Sequence, residues 1–188
     1  SDSNFIFTAG SIRPARGLFD ILKSFKLLLK NHENLFCVIA GSSTKNMKRY
    51  EKKLIQYVKR NGMDDKIIWL GHLSQEEINW CYQNCKCFVM SSRVEACPNI
   101  ALEAMNNGSL IISTKNKPMP EFFENNIYYY KSGNALDLTN KLEKILKLNK
   151  MKIKEKKKLL KKRADFFSWE KTANQTISFI EKVHKIEN

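Results

Sequence analysis

Residues 35–41 read LFCVIAG, a fully apolar run of six residues that ends at a glycine. A short run of this kind is typical of a strand that is buried on both faces, as the strands of a parallel sheet are. The stretches NFIFTAG at 4–10 and KIIWLG at 66–71 have the same character, and amphipathic segments separate them. The alternation predicts an α/β fold: a Rossmann-like parallel sheet of about six strands with helices on both faces.

The rest of the chain continues this alternation to its end. Further strands are predicted at 87–90, 110–114 and 127–130, and the residues Ser74 and Glu77 form the capping box of a helix. No internal repeat or linker interrupts the pattern, so residues 1–188 are predicted to form one domain. The predicted helices lie at 17–30, 45–61, 74–84, 99–107, 118–125, 134–148, 150–163 and 168–185.

Size and composition set the class of protein. The 188 residues, 43% of them apolar, are enough for a core without disulfides and argue against disorder. Five cysteines is an odd number, which favours a reduced, cytoplasmic protein. No apolar run approaches the roughly 18 residues that a membrane-spanning helix needs.

The net charge of +14 is concentrated in one segment. Residues 150–163 read KMKIKEKKKLLKKR, with nine cations and one glutamate, and so hold +8 of the total. A local run of this kind weakens the case for nucleic-acid binding by the whole domain. Three interpretations stay open: a solvated helix face, a contact with an anionic membrane, or a nucleic-acid site. A nucleic-acid site would need aromatics among the cations, but Phe166, Phe167 and Trp169 come after the run.

Ligands of open parallel sheets bind beyond the carboxyl ends of the strands. Glycine, hydroxyl and cationic residues dominate the segments there, at 10–17, 41–43, 71–72, 91–99 and 113–115. Glycine allows close backbone approach, helix N-termini attract phosphate, and Arg13 and Arg16 flank the first helix, where they are suited to a diphosphate. Turn formation explains any one of these segments equally well, but five together favour a nucleotide or phosphate ligand.

Two carboxylates, Glu95 and Glu103, are separated by seven residues around the start of the fourth predicted helix. Glu103 falls among apolar neighbours, where a charged side chain needs partners, and ribose or sugar hydroxyls are suitable partners. The alternative is an ordinary carboxylate at a helix N-terminus for Glu95 and a solvent-facing one for Glu103. Spacing alone favours this ordinary alternative.

The segment EACPNIALE at 95–103, continued by AM at 104–105 and Gly108, resembles the E-x7-E region of retaining glycosyltransferase family 4, the group 1 glycosyltransferases. The loop GSIRPARG at 10–17 resembles the family's G-R-L-x-x-x-K-G, and VIAG at 38–41 and IWLG at 68–71 resemble two of its strands. MPE at 119–121 and FSW at 167–169 resemble later landmarks. The resemblance implies the C-terminal, donor-binding half of a GT-B fold.

The resemblance also implies residue roles. Arg16 takes the place of the family's lysine, which holds the donor diphosphate, while the family's arginine falls on Ser11 and Arg13 is the candidate replacement. Glu103 would accept ribose hydroxyls, and Glu95 would be the catalytic residue near the donor sugar. The other implied donor-binding positions are the diphosphate-side residues Gly10, Ser11, Gly17, Gly41, Ala96, Cys97 and Asn99, and the base-side residues Gly71 and His72.

The resemblance implies a retaining glycosyltransferase that needs no metal and moves a sugar from a nucleotide-sugar to a glycan or lipid-linked acceptor. It further implies a role in polysaccharide biosynthesis and a location in the cytoplasm, at the inner side of a membrane. No metal or other cofactor is expected: the sequence lacks Asp-x-Asp, and Cys81, Cys85 and Cys87 are interpreted as core residues. The acceptor-binding half is expected to lie outside these 188 residues, which alone should be inactive. The alternatives are half of a nucleotide-sugar epimerase of this fold and a basic nucleic-acid-binding α/β domain.

Overall fold

The structure is a computed structural model that describes residues 3–186, with side chains described through residue 184. One parallel sheet of six strands runs through the domain in the order β3-β2-β1-β4-β5-β6. This confirms the predicted fold class. The strands are β1 Phe5–Ala9, β2 Phe36–Ala40, β3 Ile67–Gly71, β4 Cys87–Met90, β5 Ile111–Thr114 and β6 Tyr128–Tyr130.

Helices connect the strands and follow the last one, and their bounds agree with the predicted ones to within a few residues. They are α1 Leu18–Leu28, α2 Lys48–Arg60, α3 Gln75–Asn84, α4 Asn99–Asn106, α5 Met119–Phe123, α6 Ala135–Leu146, α7 Lys150–Ala164 and α8 Trp169–Ile186. The predicted helix at 45–61 begins instead as a 3-10 turn, Lys45–Met47.

The capping box of α3 forms as the sequence predicts. The hydroxyl of Ser74 accepts the backbone N–H of Glu77 at 3.3 Å, and the Glu77 carboxylate accepts the backbone N–H of Ser74 at 2.7 Å. Hydrogen bonds from Ser74 lower the pKa of the Glu77 carboxyl, and the bond from the backbone N–H of Ser74 has the larger effect. A fixed start to α3 matters because the helix begins only four residues after the end of β3, beside the edge of the sheet where a ligand is expected.

The sheet is covered on both faces, and successive residues of β1 enter opposite cores. Ile6 belongs to the core under α1, α2 and α6, while Phe7 belongs to the core under α3, α4, α5 and α7. All five residues of β1 are buried. This two-sided burial is the physical reason that the strands read as continuous apolar runs rather than as alternating ones.

The cysteines of the sequence are part of this core. Cys81, Cys85 and Cys87 are buried, as predicted, and so is Cys37. Burial raises the pKa of the Cys37 and Cys85 thiols to about 12. These thiols therefore stay protonated and unreactive at neutral pH.

The strand order reverses between β1 and β4. The chain proceeds from β1 outward through β2 and β3, and then returns to place β4 on the other side of β1. At such a reversal the loops after the two central strands lead away in opposite directions, which opens a crevice beyond their carboxyl ends. This crevice positions the candidate site.

No helix within residues 3–186 is both long enough and apolar enough to cross a lipid bilayer.

Candidate functional site

Backbone forms the floor of the crevice, because the ends of β1 and β2 come unusually close. The N–H of Gly10 donates to the carbonyl of Ala40 at 3.1 Å, and Gly41 has a φ of +121°. A Cβ at Gly41 would overlap the carbonyl oxygen of Gly10. Only glycine fits this position, and its absent side chain leaves the strand ends open to a ligand.

A cavity of about 400 Å³ lies over this floor. Five of the residues singled out in the sequence line it: Gly10, Ser11, Gly41, His72 and Glu103. A volume of this size falls within the range of roughly 300–1,000 Å³ that small-molecule sites occupy. Its remaining lining includes polar Ser42 and Gln75 and the apolar side chains of Leu73, Ile78 and Ile100.

Arg16 and Glu95 form an ion pair at the β1–β4 side of the crevice, and they are largely buried, with 18% and 8% of their side chains exposed. The Arg16 guanidinium also donates to the hydroxyl of Ser92 at 3.1 Å. Its Nε is buried and forms no hydrogen bond within the described residues. Arg16 therefore retains hydrogen-bonding capacity beyond its contacts with the protein.

The Arg16 turn and the loop after β4 are held together at backbone distance. Ser91 donates its hydroxyl proton to the carbonyl of Arg16 at 2.6 Å, and the N–H of Arg93 donates to the carbonyl of Ala15 at 2.8 Å. Gly17 has a φ of +64°, and a Cβ there would overlap the carbonyl oxygen of Ser91. The two segments that carry Arg16 and Glu95 thus have a fixed relation.

Glu103 borders the cavity from α4, and it has one partner on α3. Its carboxylate accepts the hydroxyl of Tyr82 at 3.3 Å. Burial, together with the neighbouring Glu103 carboxylate, raises the pKa of Tyr82, so that its hydroxyl remains a donor at neutral pH. This bond holds one carboxylate oxygen, and the carboxylate keeps further acceptor capacity for a ligand.

Other predicted residues lie at the edge of this arrangement. Arg13 is exposed and is not brought into the Arg16–Glu95 pair. Ala96 and Cys97 are also exposed, on the loop that leads into α4. At Asn99, another predicted diphosphate-side position, the backbone N–H donates to the carbonyl of Cys97 at 3.0 Å.

Several residues of the site were not singled out individually in the sequence, among them Ser92, Tyr82 and Ile100. A hydroxyl in a strand-end loop is a usable signal for Ser92. Tyr82 and Ile100 give no such signal, because their roles depend on α3 and α4 lying side by side. Within the described residues, no cluster of three or more His, Cys, Asp or Glu side chains is arranged to hold a metal ion.

The fold is a Rossmann-like domain with a crevice at the carboxyl ends of its central strands, as the resemblance to the group 1 glycosyltransferases implied. Comparison with known families agrees, because the model of the family "Glycosyl transferases group 1" matches residues 1–165. The chain therefore belongs to the group 1 glycosyltransferases, as its sequence motifs predicted. Assignment to the retaining family 4 in particular stays a prediction.

Curated relatives share only part of their length with this chain. The uncharacterized glycosyltransferase YqgM of Bacillus subtilis is 29% identical over 108 residues, which is 57% of this chain and 29% of YqgM. The lipopolysaccharide 1,2-N-acetylglucosaminetransferase of Salmonella typhimurium is 30% identical over 134 residues, which is 69% of this chain and 35% of that protein. The matched segments thus span about a third of the length of these relatives.

Solved structures share the fold. The C-terminal domain of the group 1 glycosyl transferase LpcC of Francisella tularensis matches with a TM-score of 0.74 at 25% identity, over 86% of this chain and 83% of that one. HepE of Anabaena, in complex with UDP, matches with a TM-score of 0.85 at 17% identity, over 97% of this chain and 49% of that one. The GT-B C-terminal domain fold is thereby confirmed.

The contact at Gly17 generates a prediction with a matched control. Gly17→Ala should lower the free energy of unfolding through the left-handed backbone, by about 1–2 kcal/mol, and through the overlap with Ser91, by a further ~1–3 kcal/mol. Gly62→Ala has nearly the same φ, +61°, but nothing lies within 4 Å of its added Cβ, so only the first cost applies. Urea unfolding of both variants measures the difference, and equal losses would contradict the close approach.

Proposed function

We propose that this domain binds the nucleotide-sugar donor of a metal-independent, retaining glycosyltransferase, which transfers the sugar to a glycan or lipid-linked acceptor. One observation carries the proposal. The 400 Å³ cavity at the strand ends adjoins Arg16, since Gly10 and Ser11 line both this cavity and the smaller gap beside Arg16.

The diphosphate of the donor is assigned to the Arg16 end of the site. A guanidinium forms paired hydrogen bonds with phosphate oxygens, and Arg16 has an unused Nε–H within the described residues. We infer that the diphosphate competes with Glu95 for Arg16 and so releases the Glu95 carboxylate beside the donor sugar. Arg16 supplies the positive charge in this scheme, and no metal is assigned to it.

The nucleoside is assigned to the other end of the cavity. Glu103 accepts the ribose hydroxyls, while Tyr82 keeps its carboxylate oriented. The base lies by Gly71 and His72, against the apolar wall that includes Leu73. Structural relatives are consistent with a nucleotide-sugar: solved complexes of Anabaena HepE contain UDP, UDP with glucose, and UDP-glucose.

The acceptor is assigned to parts of the whole protein beyond these 188 residues. We propose that transfer needs groups from both halves around the anomeric carbon, so that the 188-residue chain binds the donor without turning it over. Product analysis with the whole protein separates this function from an epimerase half. A transferase joins the sugar to an acceptor, whereas an epimerase releases an altered sugar or nucleotide-sugar.

Arg16→Ala tests the diphosphate assignment. Titration calorimetry with UDP, GDP, ADP and their nucleosides should first identify the base that the wild type prefers. The variant should then lose about 1.5–3 kcal/mol of diphosphate affinity, the contribution of a charged hydrogen bond, while nucleoside affinity stays nearly unchanged. Arg60→Ala removes the same charge from the exposed end of α2 and should change neither affinity. An equal loss for diphosphate and nucleoside would refute the role of Arg16.

Glu103→Gln tests the ribose assignment. The substitution keeps the shape of the side chain but removes its charge, and so it weakens acceptance of hydroxyl protons. Binding of the preferred ribonucleotide should weaken, and its advantage over the 2′-deoxy form should shrink. Glu155→Gln, on the exposed surface of α7, serves as the control. If Glu103→Gln discriminates as the wild type does, then Glu103 does not bind the ribose.

Helix α7 favours an additional, peripheral contact with anionic lipid. Its exposed face carries Met151 and Leu159, which are 74% and 45% exposed, among lysines at 152, 154, 158, 161 and 162. Apolar side chains among cations suit a lipid surface better than a polyanion groove, which would use stacking aromatics. We propose that this face docks the protein on a membrane at the cytoplasmic side.

Reversing the charge of Lys152, Lys154, Lys158, Lys161 and Lys162 tests the membrane contact. Each lysine near an anionic surface contributes ~1 kcal/mol, so cosedimentation with anionic vesicles should fall sharply, and more so at low salt. Donor binding should persist, and vesicles of neutral lipid are the control. Steep, salt-dependent binding of an oligonucleotide by the wild type, without any donor binding, would instead support the nucleic-acid alternative.

A further inference from the structure

Asp20 is a buried carboxylate in the first turn of α1 that does not border the cavity. The residue is 4% exposed. Its Oδ2 accepts the N–H of Gly133 at 2.8 Å and the hydroxyl of Tyr130 at 3.3 Å, while its Oδ1 accepts a guanidinium N–H of Arg93 at 3.4 Å. A buried charge is tolerated only with such partners, and these three donors satisfy it.

The donors come from three separate segments. Arg93 lies on the loop after β4, Tyr130 ends β6, and Gly133 lies in the turn before α6. Asp20 itself lies three residues after Gly17, where α1 follows directly on the Arg16 turn. The carboxylate thus joins the start of α1 to the loop that carries Glu95.

Tyr130 holds the Asp20 carboxylate from the β6 side. Its side chain is 1% exposed, and burial, together with the Asp20 carboxylate, raises its pKa, so that its hydroxyl stays protonated and donates to Asp20. Arg93, whose guanidinium donates to Asp20, donates its backbone N–H to the carbonyl of Ala15 in the Arg16 turn. Hydrogen bonds therefore run from Tyr130 at the end of β6, through Asp20 and Arg93, to the Arg16 turn.

Other bonds fix the far side of the same loop. Thr114 donates its hydroxyl to the carbonyl of Ser92 at 2.6 Å, and the amide of Asn116 donates to the carbonyl of Arg93 at 2.9 Å. These supports come from β5 and the residues after it. Asp20 contacts the loop from the α1 side. It therefore helps to fix the distance between the loop and the Arg16 turn.

We propose that Asp20, acting through Arg93 and Tyr130, is a positioning residue that sets the separation between Arg16 and the loop carrying Ser92 and Glu95. The inference rests on the proposed donor site. Loss of the network should relax the diphosphate end of the site, while the nucleoside end, built from α3, α4 and the end of β3, keeps its geometry.

Two substitutions test the network, and a third serves as a matched control. Asp20→Asn replaces an acceptor with a donor, and Tyr130→Phe removes only the hydroxyl that donates to Asp20. Tyr129→Phe removes the adjacent hydroxyl, which instead donates to the carbonyl of Glu124 at 2.6 Å on the opposite face of the sheet. If Asp20→Asn fails to fold, Tyr130→Phe carries the test.

The measurement is the ratio of affinities for a nucleoside diphosphate and its nucleoside, determined by calorimetry with whichever of UDP, GDP or ADP the wild type prefers. Thermal unfolding is recorded on the same samples, so that binding is measured at a temperature where every variant is folded. Both network variants should reduce the ratio roughly tenfold, the order expected when a hydrogen bond between Arg16 and the diphosphate is weakened. Tyr129→Phe should leave the ratio unchanged, whatever its effect on stability.

Three results would count against the inference. An unchanged ratio in both network variants, with normal binding by the wild type, would overturn the positioning role alone. An equal reduction in Tyr129→Phe would show that general loosening of the sheet, rather than the network, is responsible, and would overturn it too. A wild type that binds no nucleoside diphosphate would overturn the proposed function, and this inference with it.

Discussion

Backbone-to-backbone contact at the carboxyl edge of the sheet is the constraint on which the candidate site depends. At Gly41 and Gly17 a single added carbon would overlap a neighbouring carbonyl oxygen. These contacts bring the Arg16 turn against the loop after β4, and the end of β1 against the end of β2. The close approach makes the crevice narrow, lined by peptide groups, and able to hold a charged pair away from water.

The electrostatics of the domain divide into two regions with different consequences. Most of the excess positive charge lies on α7, where it is exposed and screened by salt. The crevice instead holds a partly buried cation, Arg16, which is balanced by Glu95. A buried pair whose cation keeps an unused donor suits a ligand that brings its own negative charge, because that ligand can replace the carboxylate without leaving Arg16 unpaired.

The sequence was informative wherever structure is local. Apolar runs predicted the strands, and Ser74 and Glu77 predicted a helix start. Glycines at the ends of two strands, Gly10 and Gly41, predicted two edges of the cavity. Relations between distant residues were not visible. Arg16 and Glu95 are 79 positions apart, and Asp20 meets its partners 73 to 113 positions away. An acid in the first turn of a helix usually complements the helix dipole at the surface, so Asp20 gave no sign of its burial. Arg13 and Arg16 are both cations next to the start of the first helix. Arg16 contacts the loop after β4, whereas Arg13 is exposed.

The most direct test of the account is to locate the nucleotide on the protein. Amide chemical shifts of the 188-residue chain, followed by NMR during titration with UDP, GDP or ADP, report which backbone groups the ligand approaches. The account predicts that the largest changes fall at Gly10, Ser11, Gly41 and His72 and around Glu103, with α7 almost unaffected. Saturable binding whose changes cluster on α7, or that spares all of the strand ends, would contradict it.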